Sequence, residues 1–381
     1  MSLFGHTFQR ECKHLLRRPI YLVMVLVLPL FCYAFFASML HNGLPVQLPV
    51  AVVDHDNSIL SRSIIRQMGA SQQIRIASHL QSYSQGRDAM QRGELFGFII
   101  LPGNMQADAI AGRCPEVAFY TNNSYLVAGS LVMRDLTAIT TLSSAALNLQ
   151  RRAATGQPPV EIAANIQPIT LNFHAPGNPY TNYSLFLSSI LSHGMLLILI
   201  LLTSVYTVGI EIKKGTTAQW LESAGGSLIK ALTGKLLPYT LLFSLMVIAG
   251  NTLFFKYLHF PCQGSFFAMQ LAGVLMVIAY QTLGIFILGL LGDFKIALTI
   301  AGVYGVMGLS FSGLTFPIEI MDTPLQGFSW IFPLRYYFGI QQAVAFRGLS
   351  AFEILPLYLL LAAFVLFPLI VIWRVKRMIN V

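Results

Sequence analysis

Six apolar runs punctuate the chain: Ile20–Leu40, Leu185–Val208, Leu236–Phe255, Phe266–Leu291, Ile296–Phe316 and Ile354–Trp373. Each is near or above the ~20 residues a helix needs to cross ~30 Å of hydrocarbon, and none contains Asp, Glu, Lys or Arg. The segment between the first two runs has a different rhythm. Leu48–Val53 is a short apolar run closed by Asp54-His55-Asp56-Asn57-Ser58, residue types that turn a chain and cap a helix. Ile59, Leu60, Ile64 and Ile65 then recur at helical spacing across Ser58–Met68. Ile74–Ala77, Leu95–Leu101 and Val117–Tyr120 read as further strands, Ser84–Arg92 as a helix and Tyr125–Arg152 as a long one. Gly156-Gln157-Pro158-Pro159 breaks that helix. Ile162–Phe173 reads as extended chain, with Pro168, Pro176 and Pro179 arguing against helix. The pattern predicts an α-helical membrane protein of six transmembrane helices, with an extracytoplasmic α/β domain and a small mixed or parallel sheet inserted between the first and second spans.

Composition agrees with a bilayer: 55% of the 381 residues are hydrophobic and 10% charged, against about a quarter charged in soluble domains. The net charge of +9 would raise nucleic acid as a partner in a soluble protein, but here the placement of the charges excludes that reading. Arg10, Lys13, Arg17 and Arg18 precede the first run; Lys213, Lys214, Lys230 and Lys235 fall between the second and third. Lys295 follows the fourth, and Arg374, Lys376 and Arg377 follow the sixth. These are alternate loops, so the positive-inside rule places both termini in the cytoplasm. The first run exceeds a signal-peptide core and no convincing cleavage site follows it, so a retained anchor is expected. With no ionisable residue inside any run, an internal proton or sodium relay is disfavoured and the energy for any transport is expected from outside the bilayer.

The stretch that could receive such energy is Gly209–Gly226, GIEIKKGTTAQWLESAGG. It is polar, lies between two spans, and places Glu211 and Glu222 about three turns apart if helical. From spacing alone, a helix gripped by a cytosolic partner and a merely solvated loop are equally good readings. Phe4–Arg18, with Phe4, Phe8, Leu15 and Leu16 set against His, Arg and Lys, fits either an interfacial helix or a basic flank. Pro317–Ser350 is too broken to span and too apolar for a free loop, which fits short re-entrant helices. Glycines at 273, 284, 289, 302, 305, 308 and 313 permit close helix approach. Asp54-His55-Asp56 reads as a turn and cap rather than a metal site. Cys12, Cys32, Cys114 and Cys262 form no metal or disulfide framework; Cys114 and Cys262, both external by this topology, read as free thiols in preference to a single bridge. Ser189, Ser192 and His193 share one span without an acid, so no triad can be built from them.

Taken together, these features resemble a type-2 ABC exporter permease of the drug-exporter branch. The order of one span, a large external domain and five spans carries the likeness. So does Glu211-x-x-Lys214-Gly215-Thr216-x-x-x-Trp220-Leu221, similar to the family's cytoplasmic E-x-x-x-G-T-x-x-x-L segment, although Trp220 shifts the leucine by one. Phe316-Pro317-Ile318 with Pro333-Leu334-Arg335-Tyr336-Tyr337 is similar to the family's external re-entrant helices, and VAVVDHDNSILSRSIIRQM resembles the start of the drug-exporter external domain. Ala224-Gly225-Gly226 stands where the family often has a proline.

The resemblance implies a coupling helix seated in a separate cytoplasmic ABC ATPase, which carries the ATP and magnesium; this chain has no G-x-x-x-x-G-K-[ST] and holds no cofactor, metal or catalytic residue of its own. Glu211, Lys213, Lys214, Gly215, Thr216 and Glu222 would form the coupling segment, with Trp220 and Leu221 as buried anchors in the partner. Phe316, Pro317, Pro333, Arg335 and Tyr336 would mark the re-entrant segment. Implied partners are a second copy or sister permease, membrane lipid and, in some systems, a periplasmic adaptor; the implied location is a bacterial inner membrane and the implied cargo is a lipophilic or amphipathic compound, as in multidrug efflux. Aromatics at Tyr206, Tyr280, Tyr304 and Phe311 suit either a pathway lining or ordinary span packing. The expected division is 1–19 interfacial helix, 20–40 first span, 41–184 external domain, 185–208 second span, 209–229 coupling segment and 230–381 the remaining spans, re-entrant near 317–350. A membrane-anchored receptor or scaffold acting through the external domain is the competing reading.

Overall fold

The computed structural model describes residues 3–41, 43–122, 124–154, 182–314 and 316–380. The break at Gly156–Pro159 and the extended chain over Ile162–Phe173 lie outside the described residues. Two compact units emerge, Met1–Gly43 with Ala175–Val381, and Leu44–His174.

The first unit opens with α1 (Leu3–Arg17) and α2 (Pro19–Met39), a candidate membrane span. Pro19 takes the first helical turn, where its missing N–H costs nothing. Pro29 lies deeper, and a wide π-type turn at Val23–Val27 absorbs the ladder bond its ring removes.

The second unit is α/β: β1 (Leu48–Asp54), α3 (Ile59–Ala70), β2 (Ile74–Leu80), α4 (Tyr83–Gln91), β3 (Gly97–Leu101), α5 (Met105–Ile110), β4 (Ala118–Thr121) and α6 (Leu126–Ala154). The sheet order is β2-β1-β3-β4, with β1 parallel to both neighbours and β4 antiparallel to β3. Val50 and Val52 face a core completed by Ile64 and Met68 of α3 and Val132 and Leu136 of α6. Ala51 and Val53 face the other way, onto Ala89 of α4 and Phe98. Burial on both faces is why β1 is a continuous apolar run rather than an alternating one. The aspartate that ends β1 serves the cap: Asp54 accepts from the backbone N–H of Asp56 and Asn57 at 3.0 Å each and from Ser61 Oγ at 2.8 Å, while Ser58 caps α3.

The first unit resumes with α7 (Tyr183–Lys214), α8 (Thr217–Ser223), α9 (Leu228–Tyr257), α10 (Phe266–Leu291) and α11 (Phe294–Ser310). Then follow α12 (Thr323–Ser329), α13 (Pro333–Gln341), extended by a wide turn over Gln342–Phe346, and α14 (Leu355–Ile379). Among the described residues, five helices are long and apolar enough to cross a bilayer: α2, α7, α9, α10 and α14. The fifth run expected from the sequence, Ile296–Phe316, forms the 17-residue α11, which rises about 26 Å and ends in a turn at Phe311, with Gly313 in a left-handed conformation at φ +85°.

The bundle is held by close approach and by hydrogen bonds between helices. Pro368 cannot donate to the Phe364 carbonyl in α14; the Phe367 N–H turns onto that carbonyl in a tight 3-10 turn, and the Thr282 hydroxyl of α10 also reaches it, at 3.1 Å. Val371 and Val375 of α14 press onto Gly289, where an added Cβ would meet them at 2.8 and 2.6 Å. At Gly209 the neighbour is the Phe294 ring, which a Cβ would meet at 2.1 Å. An aromatic ring has little room to retreat, so Gly209→Val is expected to destabilise the fold by about 1–3 kcal/mol through overpacking, read as a lowered melting temperature of the purified chain.

The aromatics that suit either a pathway lining or span packing all make packing contacts within the chain. Tyr280 is buried, Tyr304 donates to the Ile331 carbonyl, Phe311 stacks on Phe332 with ring centroids 5.5 Å apart, and Tyr206 meets Tyr21 and Phe294. The Ser189/Ser192/His193 group is likewise structural. His193 Nδ1 pairs with the Ser189 carbonyl at 2.5 Å, Ser192 donates to the Ser188 carbonyl at 2.6 Å, and the imidazole packs against Tyr33 and Tyr337.

Candidate functional site

Gly209–Gly226 does not form one helix. α7 continues through Gly209 to Lys214 and stops at Gly215, which adopts φ +66° and caps it with its own N–H on the Ile212 carbonyl. Only glycine and a few short polar residues enter this region without strain. α8 then runs for seven residues before Gly225 and Gly226, at φ +67° and +78°, release the chain into α9. Glu211 and Glu222 therefore belong to different helices.

Glu211 ends in a buried ion network. Its Oε1 accepts from Lys235 Nζ of α9 at 2.9 Å, its Oε2 from Arg10 of α1 at 3.1 Å, and Thr216 Oγ1 also donates to Oε2. Lys235 reaches Glu11 Oε2 at 2.6 Å, and Tyr239 donates to Glu11 Oε1 at 2.7 Å. Two cations face two anions, so the cluster is neutral. Lys235 and Glu11 side chains are each 1% exposed. A buried charge survives only with such partners. Glu11, His14 and Glu211 bring ligand-type atoms within 4.8 Å of one another, but the Lys235 ammonium lies between the two carboxylates where a divalent cation would have to sit. Burial lowers the His14 pKa, with Arg10, Lys235 and Arg18 acting in the same direction and Glu11 opposing. Burial raises that of Cys12, and Glu11 adds to it.

α8 lies against this network. Trp220 is fully buried, with Lys235 Nζ 5.5 Å from its ring centroid, a cation–π placement. Ser223 Oγ and Thr7 Oγ1 of α1 are 3.0 Å apart. Trp220, expected as an anchor offered to a partner, is thus enclosed by its own chain, and Glu211, expected in a docking charge pattern, is turned inward. The outward face of the segment consists of Lys213, Lys214, Gly215, Ala218, Gln219 and Glu222, with Leu221 half-buried at its margin.

The residues expected in a re-entrant segment are also fastened internally. Arg335 donates to Ser329 Oγ, and to the Gln326 carbonyl at 3.4 Å, and its guanidinium lies 5.5 Å from the Trp330 ring centroid. Tyr336 donates to the Trp330 carbonyl at 3.0 Å. These bonds tie α12 to α13. Pro333 starts α13 and is buried, whereas Phe316 and Pro317 are exposed.

A family model described as ABC-2 family transporter protein matches residues 19–374. The chain belongs to the ABC-2 transporter family. The linearmycin resistance permease protein LnrN of Bacillus subtilis (strain 168) is 27% identical over 109 residues, covering 29% of this chain and 28% of that protein. The match thus spans little more than a quarter of the relative's length.

In this ABC-2 transporter, α1 and its Glu11 and Arg10 lie ahead of the family match, yet they complete the ion network. Sequence reasoning missed Glu11, Lys235 and Tyr239. Their signal is a spacing of four: Thr7, Glu11 and Leu15 form the buried stripe of α1, and Ala231, Lys235, Tyr239 and Phe243 that of α9. Leu16, expected on the apolar face of α1, is 70% exposed. What the arrangement can do is mechanical: it joins α1, the end of α7, α8 and the start of α9 into one packed block.

Proposed function

We propose that this ABC-2 transporter is the membrane subunit of an ATP-driven exporter in a bacterial inner membrane, with both termini cytoplasmic and the α/β unit outside. A separate ABC ATPase, holding ATP and magnesium, grips the exposed face of α8. The observation that carries this reading is the build of α8 itself. It is a short helix with glycine turns at each end, its inner face pinned by Trp220 and Ser223 to α1 and α9, its outer face free. Force applied to that face reaches α7 and α9 directly through Glu211 and Lys235, a rigid-body route into the bundle. Two copies, or this chain with a sister permease, would enclose the pathway beside α7 and α11. The cargo is lipophilic or amphipathic, a class in keeping with a relative named for resistance to linearmycin. A periplasmic adaptor is compatible with the outward placement of the α/β unit.

The competing reading, a receptor or scaffold, draws on a groove of about 480 Å³ in the α/β unit, lined by Ile59, Ser63, Gln67, Ile110, Ser143 and Arg151 among others. It requires no ATPase. The two readings separate on Gly215→Asp with Leu221→Asp. Aspartate tolerates the left-handed turn, and a Cβ at Gly215 meets nothing within 4 Å. Co-purification of an ABC ATPase with the tagged full-length chain is expected to be lost while the chain stays folded. An undiminished complex would refute the coupling role.

A further inference from the structure

Beside α8 lies a hollow of about 710 Å³ that begins at Gly215, Ala218, Leu221 and Glu222 on the outward face of the coupling segment and runs on to α14. Ile212 and Leu221 form one side, Met378 and Ile379 at the end of α14 form the other, and Gly215 and Gly226 leave its edges bare. At both glycines a Cβ would meet nothing within 4 Å, so the space is open to an incoming group. The α14 wall is firm: Val371, Val375 and Ile379, four residues apart, are buried along one stripe, and the first two grip Gly289.

The charged residues next to the lining along the chain have one predominant sign, with Lys213 Nζ 5.9 Å from the Phe294 ring centroid and the Arg377 guanidinium 5.3 Å from that of Trp373. Lys213 and Lys214 close α7, Lys230 opens α9, and Lys376 and Arg377 stand on the last turns of α14, all exposed. Glu222 is the one acid in the lining. An apolar recess in a basic surround complements an apolar side chain carried on an acidic surface. Continuity with the exposed face of α8 places that surface on the same partner.

We infer that the end of α14 is the second half of the docking surface, and that the hollow between it and α8 receives an apolar side chain from an acidic face of the ATPase subunit. This rests on the coupling reading above. In it, the partner holds two helices at once, α8 after the second span and α14 at the far end of the chain. Its closure would then draw on α10 as well, because α14 is packed against α10.

The test measures binding of the ABC ATPase subunit, identified by mass spectrometry, to the full-length chain in uncharged detergent over a range of salt. Three variants are compared: Ala218→Trp, which fills the hollow from the exposed face of α8; Lys376→Glu with Arg377→Glu, which reverses the α14 rim; and Leu221→Asp, which disturbs α8 and the α8 side of the hollow together. The first two are each expected to weaken binding about tenfold or more, and the rim variant to flatten its salt dependence, with the melting temperature of the isolated chain unchanged. Wild-type affinity in both overturns the inference. If Leu221→Asp alone abolishes binding, coupling through α8 stands and the α14 half falls. If Leu221→Asp also binds normally, both fall. Should the rim variant lose affinity only in nanodiscs containing phosphatidylglycerol, Lys376 and Arg377 serve lipid headgroups and the inference is overturned.

Discussion

Lys235→Met is expected to lower the stability of the chain by about 3–5 kcal/mol, the range for removing one partner of a buried ion pair. The reason is specific to the geometry. Lys235 is the ammonium shared by Glu11 at 2.6 Å and Glu211 at 2.9 Å. Methionine fills a similar volume but leaves two carboxylates facing each other without the cation between them. Arg10 still reaches Glu211; Glu11 keeps only the Tyr239 hydroxyl among its polar partners described above. Adding Glu11→Gln to Lys235→Met is therefore expected to restore part of the loss, because the remaining carboxylate retains its guanidinium. The pair is in contact and should be strongly non-additive. Thermal unfolding of the purified chain, wild type against the single and double variants, reads this directly. A Lys235→Met chain melting with the wild type would show that the network does not hold the fold.

Trp220→Ala is the second large effect. Trp220 is fully buried, and deleting an aromatic side chain of this size typically costs about 3–5 kcal/mol. It also removes the ring facing Lys235 and the packing that holds α8 down. The measurement discriminates between two roles for one residue. An anchor inserted into a partner would leave the isolated chain's melting temperature unchanged and weaken only the complex. An internal strut lowers the melting temperature of the chain alone, before any ATPase is added, and that is the expected outcome. Trp220→Phe should fall between wild type and alanine, since it retains most of the apolar volume.

The membrane helices were legible because lipid leaves the backbone little choice: an uninterrupted apolar run of sufficient length becomes a helix. Their ends were less legible, for the same reason that the ion network was missed. Counting Lys213, Lys214, Lys230 and Lys235 together as loop charges assumes that each is solvated. α9 begins at Leu228, well before its apolar run, and Lys235 then falls one turn before Tyr239 on the buried stripe. Glu11 was hidden by its company, one acid among Arg10, Lys13, Arg17 and Arg18. α11 was read too long because hydropathy does not register the turn at Phe311–Gly313, where conformation rather than polarity ends the helix. In the α/β unit, α5 was unread because six residues carry too little periodicity to stand out. Within the candidate segment Gly209–Gly226, Glu211 and Trp220 are turned inward, away from the docking face that the resemblance implies for them. Composition and spacing locate a short amphipathic helix, but which of its sides is already occupied depends on α1, more than two hundred positions earlier.

The glycines at either end of α8 have a mechanical consequence. Each joint is a hydrogen-bonded cap, with Gly215 N–H on the Ile212 carbonyl at 3.2 Å and Gly226 N–H on the Leu221 carbonyl at 2.9 Å, so the helix is clamped at its ends as well as along its inner side. A bracket fixed in this way hands a load on its open side to α7 and α9 together, without flexing.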